Sequence, residues 1–549
     1  MTFDTAEARK ARGAFFTPPE IAEFLVNWAI RAPGDSVLEP SCGEAVFLLA
    51  AGRRLRGMGD LAPDLHGADL HEASVRAAQA RLTSHGLEAR ISVGDFFERA
   101  ALPAFDVVVG NPPFVRYQAF TGSARARARA AALGAGVALS GLASSWAAFL
   151  VHAVLFLKDG GRLGMVVPAE LLTVNYAAPV RSFLLQRFSS VQLVHFVERV
   201  FGPDVQEEVV LVLADGHHPD GPGTDHFDLF EARDAAALRG VLSPRTWRPS
   251  DPSEKWSDAF LGDEALVAYQ QVLASEDMTT LSAWGDTTLG IVTGNNKFFT
   301  LPPARAEDLG MTDVDTVRVS PPGSSHLRRL RLTAEYLDQI GRNGAPTRLF
   351  RPELPLSSAA EAYITAGEAT AVDQAYKCRV RKPWWRVPLP APKRPPDLFL
   401  TYMNADTARL CSNDARAWAV NSVHGVYLGG GFRSLGAELL PIAALNSITM
   451  LGAELVGRAY GGGVLKIEPK EADAWPMPSP ALIDAVADDL RMLVPRVEDL
   501  LLSARLGEAA TLVDDVLLGG GARLSRREIA AMRDARNLLE ARRKARGRG

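Results

Sequence analysis

Between residues 20 and about 215 the sequence alternates between amphipathic runs and short apolar runs. No other feature restricts the fold so strongly. Short apolar strands buried on both faces, separated by helix-length amphipathic segments, pack as a parallel sheet covered by helices. Strands are expected at Ser36–Leu38, Leu65–Ala68, Ala89–Val93, Phe105–Val109, Gly161–Val167, Leu193–Val197 and Glu208–Ala214. Helices are expected at Pro19–Ala29, Ala45–Arg56, Glu72–His85, Trp146–Phe156 and Ala177–Phe188. The pattern predicts a doubly wound, mostly parallel α/β sheet of seven strands. The last two, with a loop containing Phe201 between them, read as an antiparallel pair. A further strand at His226–Phe230 follows an exposed turn and puts a domain boundary near residue 240.

A chain of 549 residues with 47% hydrophobic and 23% charged residues can bury more than one core, and suggests about two to three domains. Residues 241–480 lose the regular alternation, carry many Pro and Gly, and predict a second domain of mixed α and β content. Residues 481–549 turn helical again and end in a basic tail, with ten Lys or Arg against three Asp or Glu over 522–549. No stretch approaches the roughly 20 uncharged apolar residues of a membrane span, and Met1 to Lys10 is charged, so the expected location is the cytoplasm. Cys42, Cys378 and Cys411 are isolated from other metal-ligating residues, so no metal is expected. The net charge of −4 means that any nucleic-acid footprint must be a local basic patch.

The run Ser36 to Gly43 is a short strand ending in Glu39, then a tight turn through Pro40, Ser41, Cys42 and Gly43, then a helix. Ligands of open α/β sheets bind beyond the carboxyl ends of the strands, where a small residue lets the backbone approach. The turn lacks the full G-x-G-x-x-G, which disfavours a dinucleotide. Asp69, with Leu70 beside it, closes the second strand thirty residues after Glu39, and an acid there accepts hydrogen bonds from ribose hydroxyls. Asp95 ends the third strand, where its carboxylate suits an adenine amino group and Phe96 the adenine ring. Each acid taken singly also suits the cap of the following helix.

Strand Phe105–Val109 leads through Gly110 into Asn111-Pro112-Pro113-Phe114. Two prolines stop the strand and stiffen the loop. The lone pair of an amine such as adenine N6 is delocalised into its ring and attacks poorly. Two fixed acceptors, the Asn111 side-chain oxygen and the Pro112 carbonyl, would take its hydrogens and aim the lone pair at an electrophile. They would also stabilise the positive charge that develops on nitrogen. Phe114 would stack on the target ring, and Phe201 is the candidate second ring.

These motifs resemble, in identity and order, the adenine-specific DNA methyltransferases of the gamma arrangement, similar to the modification enzymes of type II restriction systems. Gly13-Ala14-Phe15-Phe16-Thr17-Pro18 looks like the family's N-terminal element that holds the cofactor's methionine part. Glu39 to Gly43 resembles the cofactor loop, Asp69 the ribose acid, Asp95-Phe96 the adenine-contacting pair, and Asn111 to Phe114 the catalytic loop, with Asn111 also near the cofactor. Gly161 to Pro168 looks like the strand bordering the target pocket, and Phe201 the aromatic opposite Phe114. The resemblance implies S-adenosyl-L-methionine as cofactor and N6 of a flipped-out adenine in double-stranded DNA as target. It implies a catalytic domain over 1–240, a target-recognition domain over 241–480 and a helical segment over 481–549. A cognate restriction endonuclease or other defence-system subunits are the implied partners. The chain departs from the usual pattern in the Ser41-Cys42-Gly43-Glu44 loop and in having Phe114 where Tyr is frequent. No Pro-Asp followed by Glu-x-Lys is found, and the motifs begin almost at residue 10, so modification without cleavage is expected.

Arg328-Arg329-Leu330-Arg331 and the run from Arg379 to Arg386, with Arg381, Lys382 and Trp384, interleave cations with aromatics as a DNA-facing surface would. Lys466 is a further candidate, and Arg125, Arg127 and Arg129 are candidates for the DNA backbone near the catalytic loop. An Asn-Pro-Pro loop also serves enzymes that methylate RNA bases or protein glutamine, so the loop alone specifies amine or amide methylation. The large region after residue 240 favours duplex DNA, because reading several base pairs needs surface of that order.

Overall fold

The computed structural model describes residues 17–201, 208–240, 243–460 and 462–545. By contact the chain divides into two compact units that meet at Ala259 and Phe260.

The first unit is built on a nine-stranded sheet. Its strands are β1 (Val37–Glu39), β2 (Leu65–Asp69), β3 (Arg90–Val93), β4 (Phe105–Gly110), β5 (Leu157–Pro168), β6 (Phe188–Phe196), β7 (Val209–His217), β8 (Phe227–Ala232) and β9 (Arg245–Trp247). The spatial order is β3-β2-β1-β4-β5-β7-β6-β8-β9. Strands β3 to β5 run parallel, while β7 is antiparallel to both β5 and β6, with Val194 opposite Leu211. The seven expected strands are all present, and the expected antiparallel pair is β6 and β7.

The helices are α1 (Pro19–Ala29), α2 (Val46–Gly57), α3 (Glu72–Ser84), α4 (Gly122–Gly134), α5 (Ser145–Val154) and α6 (Ala178–Arg187). Ile21, Leu25 and Val26 of α1 are buried against the sheet. Burying each such side chain stabilises the fold by about 1.5–3 kcal/mol. Leu25 lies over Gly164 of β5, where an added Cβ would come 3.6 Å from Leu25 and 3.3 Å from Val109. Helix α5 has every residue buried, so it shows no polar face for a sequence pattern to register.

The first unit extends beyond the boundary expected near residue 240. Strand β9 pairs antiparallel with β8, Phe227 opposite Trp247, and the Trp256 ring packs 4.4 Å from that of Phe227. The Trp256 backbone also donates to the Leu172 carbonyl. Residues 243–259 thus complete the edge of the first core rather than open a second one.

The second unit contains a four-stranded antiparallel sheet ordered Gly285–Leu289, Val423–Leu428, Leu398–Thr401, Leu410–Ser412. Smaller sheets join Thr300–Leu301, Arg348–Phe350 and Thr316–Arg318, and Met403–Asn404, Val464–Lys466 and Arg458–Tyr460. Its largest core runs from Leu261 through Leu439, Ile448 and Trp475 to Leu490, Val497, Val513 and Met532. The helices expected as a separate segment over 481–549 are therefore part of this core.

Several cations of the described part of the basic tail are ion-paired. Within the helix Arg526–Ala545, Arg543 is 3% exposed and its guanidinium makes a bidentate pair with Glu454 at 2.8 and 2.9 Å. Arg533 pairs with Asp514 at 2.6 Å and Arg536 with Glu540 at 2.8 Å. Among the described residues no single helix is long and apolar enough to cross a membrane.

Candidate active site

The strand order reverses direction between β1 and β4, and there the carboxyl ends of two neighbouring strands diverge into separate loops. Such a crevice is the usual ligand site of an open α/β sheet. The two loops adjoin: a Cβ on Gly110 would lie 3.7 Å from Pro40 and 3.9 Å from Glu39.

Glu39 ends β1 and is 2% exposed. Its carboxylate accepts from the backbone of Leu48 at 3.0 Å, which fixes the first turn of α2 to the strand. Burial, reinforced by the neighbouring Asp69 charge, pushes its carboxyl well above the usual carboxylate range, against the pull of the Leu48 and Phe47 amides. After Pro40 the chain turns through Ser41, the buried Cys42 and Gly43. Gly43 has φ +49° and open space where a side chain would begin, and Ala45 is also left-handed at +59°. A strand that must reverse into a helix across the six residues from Pro40 to Ala45 uses this backbone, and glycine adopts it without steric cost.

Asp69 ends β2. Its Oδ2 accepts from the Gly43 amide at 3.0 Å and its Oδ1 from the His71 amide at 2.9 Å. The carboxylate thus braces the Gly43 turn across the sheet. Leu70 beside it is 63% exposed. Asp95, after β3, accepts from the Phe97 amide at 3.0 Å through Oδ1 and from Arg127 at 2.8 and 2.9 Å through Oδ2. Phe96 points into the core, 5% exposed, stacked 5.0 Å from Phe156 and 4.8 Å from Phe149 and His152. Its expected place on a ligand ring is thus taken by core packing, because the residue after Asp95 turns inward to start a short 3-10 helix.

The loop Asn111-Pro112-Pro113-Phe114 follows β4. The Asn111 amide nitrogen donates to the Thr17 hydroxyl at 3.1 Å, and the Asn111 carbonyl accepts from the Ser41 hydroxyl at 3.1 Å. Ser145, at the start of α5, donates to the Pro113 carbonyl and accepts from the Val115 amide at 2.9 Å. Its own amide donates to the Val115 carbonyl at 3.0 Å. Two prolines and three outside tethers hold the tetrapeptide. Phe114 and Phe201 are 6% and 8% exposed.

One contributor, Ser145, was not assigned from sequence. Thr17, expected beside a cofactor, is 8% exposed and accepts from the Asn111 side chain. Pro18 begins the turn into α1, while Phe16 and the rest of Gly13 to Phe15 lie outside the described residues. Ser145 had only the signal of a serine ahead of an apolar run. The arginines after the loop are exposed or half-buried, and each already has a partner within the first unit. Arg125 donates to the carbonyls of Tyr117 and Phe120, Arg127 pairs with Asp95 and Glu98, and Arg129 donates to the Leu139 carbonyl at 3.1 Å.

In the second unit several candidate surface cations are likewise committed. Arg328 pairs with Asp406 at 3.1 Å, Arg331 with Asp414 at 3.0 Å, and Arg329 lies 3.5 Å over the Tyr336 ring. Trp384 donates to Glu368 at 3.0 Å and packs against Phe298 and Phe299. Lys466 pairs with Glu468 at 2.7 Å between the rings of Tyr402 and Tyr460. Arg381 donates to the Val292 carbonyl, whereas Lys382 is exposed.

Residues 2–231 match the family model described as N-6 DNA Methylase, and residues 253–518 match that of the C-terminal domain of the type II methyltransferase M.Eco57I. The type II methyltransferase M.AccI of Acinetobacter calcoaceticus is 20% identical over 93% of this chain and 94% of its own length. M.XamI of Xanthomonas campestris pv. amaranthicola is 24% identical over 87% of this chain and 88% of its own. Among solved structures, the type IIL restriction-modification enzyme MmeI in complex with DNA superposes with a TM-score of 0.59 at 13% identity, over 95% of this chain and 75% of that one. That likeness extends the shared fold over both units.

Proposed function

We propose that the chain is an N6-adenine DNA methyltransferase of a restriction-modification system and that Asn111-Pro112-Pro113-Phe114 is the loop at which it methylates N6 of a flipped-out adenine, with S-adenosylmethionine as donor. The observation that carries this assignment is the tethered Asn111 beside the crevice between β1 and β4, with acids at the ends of three adjacent strands.

The residues present fit S-adenosylmethionine. The left-handed turn at Gly43 leaves its backbone open to a ligand, Asp69 holds that turn and retains carboxylate lone pairs for ribose hydroxyls, and Asp95 lies at the next strand end. An oxygen of each carboxylate can accept a second hydrogen bond. When bound, the cofactor supplies an electrophilic methyl group on a sulfonium centre.

The protein's part is to prepare the nucleophile. With its nitrogen held by Thr17, the Asn111 amide presents its oxygen as the acceptor end, and the stiff Pro112 carbonyl is the second acceptor. Together they draw the N6 hydrogens aside and direct the lone pair, and no deprotonating base is needed. Because the acceptors are fixed before reaction, little reorganisation accompanies charge development on nitrogen. Extruding the base costs a few kcal/mol, and each base-aromatic stack returns about 1–3 kcal/mol. Phe114 and Phe201 are the proposed stacking pair, and their burial requires them to be uncovered as the base enters. A cognate restriction endonuclease is the proposed partner in the cell, with this chain protecting host DNA.

Purified protein should transfer labelled methyl groups to duplex DNA at a defined sequence. Asn111→Ala should abolish transfer while cofactor affinity stays within a few-fold of wild type. Labelling of protein or RNA with duplex DNA inert would overturn the assignment, and a parallel collapse of cofactor affinity would remove Asn111 from the proposed role.

A further inference from the structure

The second unit carries two basic runs, and they differ in what their charges already do. In the first, Arg328 and Arg331 are ion-paired and Arg329 is stacked on Tyr336. Of the cations of the C-terminal helix, Arg533, Arg536, Arg543 and Lys544 are each matched to a carboxylate.

The second run is different. Lys377, Arg379 and Lys382 are exposed, and among the described residues none has an acidic partner within ion-pair distance. Exposed Tyr376, with Lys377 lying 5.7 Å over its ring, precedes them, and exposed Val380 lies among them. A loop from another part of the unit extends this face. Gly294 sits at φ +84°, and a Cβ there would come 2.7 Å from that of Lys377, so loop and helix touch. Arg381 ties them together by donating to the Val292 carbonyl. Three residues beyond Gly294, Lys297 adds another exposed cation that has no ion pair among the described residues.

In a protein of net charge −4, an exposed cluster of unneutralised cations costs self-repulsion, and it is the arrangement that a polyanion relieves. We propose that the face formed by Lys297, Lys377, Arg379 and Lys382 binds the phosphate backbone of duplex DNA, with Arg381 as its internal brace. The proposal rests on the DNA-methyltransferase reading above. Phosphate contacts of this kind fix register and orientation without reading sequence.

Each phosphate neutralised contributes about 0.9 to the slope of log affinity against log salt for B-form DNA. The test is equilibrium binding of the full-length protein to a cognate and an unrelated duplex across a salt series. The triple variant Lys377→Ala, Arg379→Ala, Lys382→Ala should lower the slope by about 2 to 3 and weaken both duplexes by the same factor. The double variant Arg328→Ala, Arg331→Ala should leave the slope unchanged. Unfolding midpoints identified for each variant separate loss of contact from loss of fold, since the three substituted side chains are exposed. An unchanged slope in the triple variant, with wild type binding and methylating DNA, overturns this face alone. A wild-type protein that neither binds nor methylates duplex DNA overturns the functional reading with it.

Discussion

The Asn111 side chain donates to the Thr17 hydroxyl at 3.1 Å, joining residues 94 positions apart in the chain. Thr17 precedes the helix that packs under the sheet, so the orientation of the Asn111 amide, the proposed acceptor, is set from outside its own loop. Thr17→Val should lower kcat about 5- to 10-fold, the equivalent of one hydrogen bond of about 1 kcal/mol. Thr17→Ser should restore it. Single-turnover methyl transfer checks this, and an equal loss from both variants would refute the orienting role.

Ser145 holds Pro113 and Val115 at once. Ser145→Ala leaves a carbonyl and an amide of the loop without that hydroxyl, at a cost of about 1–3 kcal/mol. The expected result is a kcat reduced by at least tenfold with cofactor affinity little changed, measured by titration and steady-state kinetics side by side.

Asp69 and Asp95 have different neighbours and should fail differently. Asp69→Ala removes the brace on Gly43 as well as the proposed ribose acceptor, so cofactor affinity should drop by about tenfold to a hundredfold, as for a charged hydrogen bond of about 1.5–3 kcal/mol. Asp95→Ala should weaken the cofactor less and leave Arg127 on α4 paired with Glu98 alone. Calorimetric titration with S-adenosylmethionine distinguishes the two.

His326 accepts or donates one hydrogen bond with Ser320 at 2.7 Å, and burial, with Arg329 nearby, holds its imidazole down at about 4. A depressed histidine stabilises the fold fully above its unfolded value of about 6.5 and loses that contribution as pH falls towards 4. Over that window the second unit should lose on the order of 2–3 kcal/mol from this group. His326→Gln should flatten the acid limb of denaturant-unfolding stability against pH, and an unaltered limb would exclude His326 as its source.

Breaking one half of a buried ion pair strands the other charge. Arg543→Ala should therefore destabilise the second unit by about 3–5 kcal/mol, with Glu454 left uncompensated. Pairing it with Glu454→Ala should recover part of the loss in denaturant unfolding.

The sequence alone determined the parallel sheet, its seven central strands and the motif order from Glu39 through Asp69 and Asp95 to Asn111. Those features are local: hydrophobic period, proline and glycine at turns, and an acid at each strand end all act within a few residues. Tertiary structure decided which partner each side chain keeps. Arg127 looked like a phosphate contact until Asp95 arrived beside it from another strand end, and Phe96 like a ligand platform until Phe149 and Phe156 closed over it. Arg328 and Arg379 are equally cationic in sequence, yet only one has an acid brought within 3.1 Å by folding. Charge type is written residue by residue. Neutralisation depends on distances that exist only once remote segments pack.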